Sequence, residues 1–148
     1  MVDITKKPIS YREAIAEGVI KLRKETVRRI REGRVEKGDV FTVSRIAAIN
    51  AVKKTPDIIP LCHNIPITHV DVQFDIIDDE RIKAIVKVRT TAKTGVEMEA
   101  LMGVSIALLN IWDMVKKYEK DEEGQYPFTR IEYIKVLEKK KEELSARH

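Results

Sequence analysis

The chain has 148 residues, which is the usual size of one domain, and we expect residues 1–148 to form a single catalytic domain. Hydrophobic residues make up 43% and charged residues 35%, which excludes a disordered chain. The net charge is +4, but 28 basic residues are interspersed with 24 acidic ones. A local cluster within such a chain can bind an anionic small molecule, whereas the excess alone does not indicate nucleic acid.

The single cysteine, Cys62, excludes an intrachain disulfide and a cysteine-based zinc cage. The first seven residues lack the apolar core of a signal peptide. The longest nearly apolar stretch, residues 100–112, is shorter than the roughly 20 residues that span a bilayer. We therefore expect a cytoplasmic protein that does not enter a membrane.

The first third of the chain predicts an extended lead-in over residues 1–9 and then two helices. Ser10 and Glu13 fit a capping box, and Gly33 is a plausible stop, so the first helix is predicted over residues 10–33. Its apolar spacing rests on Ile15, Val19, Leu22, Thr26 and Ile30. After a charged turn at 34–39, a second helix is predicted over residues 44–53 and ends before Pro56.

Residues 55–66 contain three prolines, which excludes a regular helix and predicts an apolar loop that carries Cys62 and His63.

A β-hairpin is predicted to follow this loop. Apolar residues alternate with polar ones over 70–76 and again over 81–88, on either side of an acidic turn at 78–80. The pattern indicates one buried face and opposite charges that can pair across the strands.

The last third predicts one long helix and one strand. Thr94 and Glu97 fit a second capping box, and the helix is predicted to reach about Lys120. A polar turn at 121–125 leads to a strand over 126–137, and residues 138–148 are predicted to be a frayed, charged tail. These elements favour an α+β, ferredoxin-like two-layer sandwich, with an antiparallel sheet packed against helices that include one long central helix.

The long helix carries the most suggestive polar side chains. Asp113 and Lys116 are three residues apart, so their side chains share a face and can touch, and Glu99 lies close to the same stripe. A carboxylate beside an ammonium group at the edge of an apolar surface suits proton transfer. By spacing alone, an exposed salt bridge is the commoner interpretation of such a pair.

The remaining candidates are weak when each is taken alone. His63 is more often structural than catalytic, and Cys62 reads as a small buried side chain. Adjacent residues seldom converge on one ion, so a metal site at Cys62 and His63 is disfavoured. Arg12, Lys37 and Lys53 are individually ordinary surface cations, and the chain has no phosphate-binding loop, dinucleotide motif or serine elbow.

Four separated motifs in order carry a specific resemblance. They are Lys-Gly-Asp-Val-Phe at 37–41, Ile-Pro-Leu-Cys-His at 59–63, Lys-Thr-Gly-Val-Glu-Met-Glu-Ala-Leu at 93–101 and Asp-Met-Val-Lys at 113–116. Over about residues 1–120, the chain closely resembles the cyclic pyranopterin monophosphate synthases, the molybdenum cofactor biosynthesis protein C family. The resemblance implies a ferredoxin-like enzyme that assembles as a homohexamer, a trimer of dimers, with its site at a dimer interface.

The activity implied is that of a lyase that acts on the cyclic GTP-derived intermediate, forms the pterin with its cyclic phosphate and expels pyrophosphate, with no metal or redox cofactor. By motif, Asp113 would be the catalytic acid/base with Lys116 beside it, and Lys37 would join in proton transfer. Substrate-binding residues carried over in the same way are Leu61, Cys62, His63, Glu97, Met98, Glu99, Arg12 and Lys53. Basic side chains suit a triphosphate and its departing pyrophosphate.

Three departures from the commoner family pattern are visible. Asn64 stands where proline usually follows the histidine, Trp112 replaces the usual tyrosine, and the tail beyond Leu137 lacks a glycine-lysine segment. The last departure puts any substrate contact from the tail in doubt.

Two rival functions have to be weighed. A basic ferredoxin-like sheet is also the architecture of RNA-recognition modules, but the predicted strands lack their aromatic pattern. An inactive relative that survives as an assembly partner is disfavoured because all the motif side chains that carry chemistry are present.

Overall fold

The computed structural model describes residues 1–144, which form one four-stranded sheet and four helices. The elements in chain order are β1 (Ser10–Lys21), α1 (Lys24–Arg31), α2 (Val40–Lys53), α3 (Thr55–Ile58), β2 (Ile67–Asp78), β3 (Arg81–Ala92), α4 (Glu97–Glu119) and β4 (Arg130–Glu143). The strand order is β2-β3-β1-β4, and every neighbouring pair is antiparallel. This is the predicted α+β, ferredoxin-like arrangement, with α2 and α4 packed together against the sheet.

The predicted hairpin is confirmed as β2 and β3, with the turn at Asp79 and Glu80. Its inner face is apolar, and on β3 it consists of the buried side chains Ile82, Ala84, Val86 and Val88. The predicted pairing of opposite charges across the hairpin is confirmed at its turn, where Arg81 of β3 lies 3.2 Å from Asp78 of β2. The β3 lysines, Lys83 and Lys87, lie 4.0 and 3.8 Å from glutamates of β1, so their ion pairs link β3 to the next strand of the sheet.

The predicted helix over residues 10–33 is wrong in its first half, because Ser10–Lys21 is the central strand β1. The spacing of Ile15, Val19 and Leu22 mimicked a helix because β1 is buried on both faces. The alternating small residues Ala14, Ala16 and Gly18 were the competing signal, and glycine inside a helix costs about 1 kcal/mol relative to alanine. Only Lys24–Arg31 is helical, and the stop at Gly33 is confirmed by its φ of 69°.

The second helix is confirmed but begins earlier than predicted, at Val40. Asp39 is its N-cap, and the carboxylate accepts a hydrogen bond of 2.9 Å from the Thr42 N–H. The proline-rich segment contains one short helical turn, Thr55–Ile58, with Pro56 in its first turn, where a missing N–H does no harm. The loop that carries Cys62 and His63 follows it, as predicted.

Two glycines let α4 lie close to the sheet and to α2. A β-carbon added at Gly18 of β1 would lie 2.7 Å from Val104 Cγ1, and one added at Gly103 of α4 would lie 2.9 Å from Val52 Cγ2. Both values are below real carbon–carbon contacts, so the absence of a side chain at these positions sets the spacing of the layers.

The long helix α4 is the core helix of the fold, and its end near Lys120 is confirmed. Its predicted capping box is wrong: Val96 is the N-cap, no side chain caps the helix, and Glu97 pairs instead with Lys139. By length and composition α4 would pass as a membrane span. Its inner side chains nevertheless pack on β1 and β3, as expected for the apolar core helix of a folded domain.

The frayed tail predicted from residue 138 is wrong for residues 138–143, which continue β4. The strand pairs with β1 along its whole length, from Lys21↔Arg130 to Ser10↔Glu143, with two register shifts. Backbone pairing therefore holds a segment whose lysines and glutamates have low strand propensity. The rest of that prediction, residues 145–148, lies outside the described part of the chain.

Candidate active site

Three of the predicted site residues converge near the carboxyl end of α4. One carboxylate oxygen of Asp113, Oδ1, lies 3.1 Å from Lys116 Nζ, and the other, Oδ2, lies 3.2 Å from Lys37 Nζ. Lys37 Nζ also donates a hydrogen bond of 3.0 Å to the main-chain carbonyl of Asp113. The predicted contact between Asp113 and Lys116 is confirmed, and a lysine from a distant loop completes the group.

The electrostatics of this group keep Asp113 ionised. Hydrogen bonds from Lys116 and then Lys37 lower the pKa of Asp113 below its ordinary value, and burial opposes them only weakly. Half of the Asp113 side chain remains exposed, at 57%, so solvent can reach the carboxylate. A depression beside it is lined by Glu36, Lys37, Asp113, Met114, Lys116 and Lys117, and its three lysines make it suitable for an anion.

Lys37 reaches Asp113 from the turn between α1 and α2. Gly33 and Gly38 have positive φ, 69° and 118°, which reverses the chain twice within six residues. Between them only Val35 is buried, at 8% exposure, and it belongs to the core. The Lys-Gly-Asp motif thus combines a chain reversal with the N-cap of α2, and places its lysine over α4.

A second group of predicted residues surrounds Glu99 in the first turn of α4. Glu99 is 1% exposed, and one of its carboxyl oxygens, Oε1, is buried with no hydrogen-bond partner among the described residues. The Cys62 thiol donates to the other oxygen, Oε2, at 3.8 Å. Burial raises the pKa of Glu99, because a carboxylate loses its hydration there and the single thiol does not replace it.

Burial also raises the pKa of Cys62, and the nearby Glu99 raises it further. The side chain is only partly buried, whereas a buried one was predicted, and the raised pKa makes the thiol a weak nucleophile. His63 beside it is held by the main chain, since its Nε2 lies 2.7 Å from the carbonyl oxygen of Val2. On the same loop, Leu61 is 69% exposed, and Met98, next to Glu99 on α4, is 39% exposed, so both offer apolar surface to a ligand.

Arg12 and Glu97 belong to the same end of α4. Arg12 Nη2 donates 3.4 Å to the carbonyl of Lys93, while Arg12 Nε is buried without a partner among residues 1–144. Glu97 pairs through Oε1 with Lys139 Nζ at 3.4 Å, and its Oε2 is likewise buried and unpartnered. Buried polar atoms without a partner, one on each of these side chains, are expected where a polar ligand binds.

Lys53 lies apart from both groups. It ends α2 and borders a groove beside the start of β2, together with Ile49 and His69. In one copy of the chain it touches neither Asp113 nor Glu99.

The two main groups are separated along α4. Glu99 stands in the first turn and Asp113 about four turns later, so roughly 21 Å of helix lies between them. One small substrate cannot touch both carboxylates of the same chain. The structure thus joins Asp113, Lys116 and Lys37, joins Cys62 and Glu99, and leaves these two sets apart.

Sequence reasoning missed three side chains at these places. Glu36 and Lys117 line the Asp113 depression, and their only signal was adjacency to Lys37 and Lys116. Lys139 reaches Glu97 from the segment that had been predicted to fray, so no sequence signal pointed to it. Lys139 therefore brings a cation from the tail to the end of α4 where Glu97 lies.

No three side chains of His, Cys, Asp or Glu converge on one point within the described residues. The polar cluster at the Asp113 end of α4 is made of lysines and a carboxylate, which suit anion binding and proton transfer.

Comparison with known proteins gives one consistent family. A family model described as the MoaC family matches residues 1–142. The chain is 61% identical over 145 residues to a probable cyclic pyranopterin monophosphate synthase of Pyrococcus furiosus, which covers 98% of this chain and 92% of the relative. It is 58% identical over 139 residues to the protein of that name from Sulfurisphaera tokodaii, covering 94% and 91%. A Methanothermobacter thermautotrophicus relative, 59% identical over 144 residues with 97% and 90% covered, is named a probable accessory protein of that synthase.

Proposed function

This chain belongs to the MoaC family, and from that premise we propose that it is a cyclic pyranopterin monophosphate synthase. It converts the cyclic GTP-derived intermediate, 3′,8-cyclo-7,8-dihydro-GTP, to cyclic pyranopterin monophosphate and releases pyrophosphate. This reaction places it in molybdenum cofactor biosynthesis, as a lyase of the cytoplasm. The observation that carries the proposal is the Asp113 carboxylate held between two ammonium groups, Lys37 and Lys116, in a cationic depression.

The chemistry that this group offers fits the reaction. A purine-derived ring that opens and closes again needs protons delivered and removed several times, and a Lys/Asp/Lys set holds donors and an acceptor within hydrogen-bond distance. A triphosphate carries about four negative charges, so lysines that bind it also stabilise the departing pyrophosphate. Asp113, Lys116 and Lys37 are the proposed catalytic residues.

The group around Glu99 is proposed to bind the substrate. Its carboxyl group, desolvated and with one free oxygen, favours the neutral form and can share a hydrogen bond with a polar ring. Cys62, Leu61 and Met98 supply apolar walls, and His63, Arg12, Glu97 and Lys53 are proposed to supply polar contacts. In one chain Lys53 stands outside both groups, so its role depends on how copies assemble.

The separation of the two groups supports a site shared between subunits. Because about 21 Å of helix lies between Glu99 and Asp113, we propose that the Asp113 group of one protomer faces the Glu99 group of its partner. Such a contact would bury apolar side chains that are exposed on the helical layer of one chain, namely Val43, Ile46 and Leu109. The full assembly proposed is a homohexamer, a trimer of dimers.

Mixing two inactive variants tests the shared site. Asp113→Asn and Glu99→Ala homo-oligomers are purified, exchanged under mild denaturant and assayed together. A shared site regains activity in mixed oligomers: after equal mixing about half of the dimer interfaces are mixed and each holds one intact site of two, so about a quarter of wild-type activity is expected. Activity that never exceeds that of the unmixed variants, while subunit exchange is verified by mass spectrometry, contradicts the proposal.

The reaction itself is tested by supplying the cyclic GTP intermediate to the pure protein and following pyrophosphate and pterin together. Both products are expected in equal amounts. No product from the folded wild-type protein would overturn the enzymatic function and leave the accessory role that one relative's name carries.

The sheet does not favour the rival function in RNA binding. On the central strands the polar side chains form ion pairs, as between Arg89 and Glu13 at 3.2 Å, and the Tyr11 hydroxyl donates to Glu13. A face that is occupied by internal pairs of both signs differs from the exposed aromatic platform that stacks bases.

A further inference from the structure

The loop that carries Lys37 has little internal structure to hold it. Residues 32–39 link α1 to α2, and a side chain added at Gly33 or Gly38 would meet nothing within 4 Å. The internal hydrogen bonds next to Lys37 amount to one turn, in which the Gly38 N–H donates 3.1 Å to the Val35 carbonyl. A lysine on such a loop keeps its place beside Asp113 only if the loop is fixed from outside.

Two external contacts hold the loop: the Val35 side chain is buried in the core, and Tyr118 of α4 binds the main chain next to Lys37. The Tyr118 hydroxyl oxygen accepts a hydrogen bond of 2.9 Å from the main-chain N–H of Glu36, the residue immediately before Lys37. The ring itself is held on both sides: it packs against the core, and the Arg29 guanidinium of α1 lies 4.5 Å from its centroid. The hydroxyl is therefore a fixed point on the helix that also carries Asp113.

The ion pair of the Glu36 side chain is a weaker contact than the main-chain hydrogen bond to Tyr118. Lys117 pairs with the Glu36 side chain, but both side chains are more than half exposed, at 62% and 68%. Exposed pairs of this kind contribute little, because water and salt screen them. The main-chain bond to Tyr118 fixes the loop more directly than the side-chain pair does.

We infer that Tyr118 is a positioning residue for Lys37: its hydroxyl holds the Glu36 main chain so that the Lys37 ammonium stays on the Asp113 carboxylate. This inference rests on the proposed function only for its effect on turnover. The placement of Lys37 can be measured without substrate.

The test compares Tyr118→Phe with Tyr126→Phe. The second variant is a matched control, because the Tyr126 ring packs edge-on against Trp112 and its hydroxyl makes no hydrogen bond within residues 1–144. Two measurements are made on the oligomer: kcat and KM for pterin formation, and the rate at which acetic anhydride labels each lysine, read by peptide mass spectrometry. Lys54, at the opposite end of α2 from the loop, and Lys87, on the outer face of the sheet, serve as internal references.

With Tyr118→Phe, kcat is expected to fall about tenfold with KM within twofold, because a misplaced catalytic group loses rate rather than affinity. Labelling of Lys37 is expected to rise at least about threefold, since a lysine released from its carboxylate reacts faster. Tyr126→Phe is expected to change neither quantity, and both variants should melt within a few degrees of the wild-type protein.

Unchanged labelling of Lys37 in Tyr118→Phe overturns the inference, whatever happens to kcat. Faster labelling with unchanged kcat overturns it as well, since the placement would then not serve turnover. If the wild-type protein makes no product, the proposed function fails by itself, and the labelling comparison still decides whether Tyr118 holds Lys37.

Discussion

The two carboxylates near the ends of α4 stand in opposite environments. Asp113 is exposed and held between Lys37 and Lys116, which lower its pKa. Glu99 is 1% exposed, has one thiol as its hydrogen-bond partner, and its pKa is raised by desolvation. The same helix thus presents an ionised carboxylate at one end and a carboxyl group that tends to keep its proton at the other.

This difference agrees with the two roles proposed for the ends of the helix. Two titratable groups whose surroundings push their pKa values apart are a recurrent sign of divided acid and base work. Here the difference follows from position: the Glu99 side chain is buried beside Cys62, whereas the Asp113 side chain is exposed beside the loop that carries Lys37. The experiments below test that contrast.

The largest effect is expected at the Asp113 end. Asp113→Asn removes the carboxylate and Lys116→Ala removes its first partner, so each variant is expected to lose at least about 10²-fold in kcat, down to no detectable product. Asp79→Asn, at the exposed hairpin turn, is the matched control and should keep wild-type turnover. Near-normal turnover of either site variant, in an oligomer that is still folded, would remove that residue from the proposed catalytic set.

A smaller loss is expected from the neutral replacement Glu99→Gln. If Glu99 binds substrate in its neutral form, glutamine keeps the size and the polar contacts, and kcat/KM should fall by only about tenfold. Glu99→Ala, which also loses the contacts, should cost more. A loss for Glu99→Gln as large as that of Asp113→Asn would mean that Glu99 works as a charged group, and the contrast between the two ends would be wrong.

The stability of Glu99→Gln should depend on pH in a predictable direction. In the wild-type protein, the raised pKa means that the native state holds a proton that the unfolded chain releases above the ordinary value of 4.5. Its contribution is therefore fully present below pH 4.5 and is lost as the pH rises through the native pKa. Relative to wild type, Glu99→Gln should gain on the order of 1 kcal/mol in unfolding free energy between pH 4.5 and 7.5. Denaturant titrations at fixed protein concentration measure this, and a constant difference across that range contradicts it.

The smallest expected effect is the change in unfolding free energy caused by Asp113→Asn. It has the opposite sign to the change expected for Glu99→Gln. A lowered pKa gives stability that is present above the ordinary value of 3.8 and is lost as the pH falls through the native pKa. Because the pair is exposed, Asp113→Asn should cost less than about 1 kcal/mol at pH 7, and this cost should shrink in high salt. The same titrations with and without 1 M salt measure it; a salt-independent loss would show that the carboxylate has a packing role.

The sequence was sufficient to predict the elements in which apolar residues recur along one buried face. The hairpin, α2 and the body of α4 follow from their apolar patterns, and the ferredoxin-like arrangement follows from their order. The strand β1 was mistaken for a helix because it is buried on both faces, so its alternation is hidden. The end of β4 was missed because pairing with β1, a tertiary contact, overrides the low strand propensity of lysine and glutamate.

The contacts of the candidate site were likewise predictable from the sequence only in part. The contact of Asp113 with Lys116 follows from helical spacing. That Lys37 joins them, and that Cys62 meets Glu99, depends on how distant loops fold over α4, so only the family resemblance pointed to those groupings. Tyr118 and Lys139 belonged to none of the motifs, and their contacts became visible only in three dimensions.

The close packing at Gly103 has a consequence for how substitutions act at a distance. A methyl group there would press on Val52 and Val86 in the core and push the helix away from its neighbours. Because α4 is one rigid rod, Glu99 and Asp113 would shift together, while Cys62 and Lys37 would stay on their own loops. The absence of a side chain at Gly103 therefore affects how Glu99 lines up with Cys62 and how Asp113 lines up with Lys37, although the two groups lie far apart in one chain.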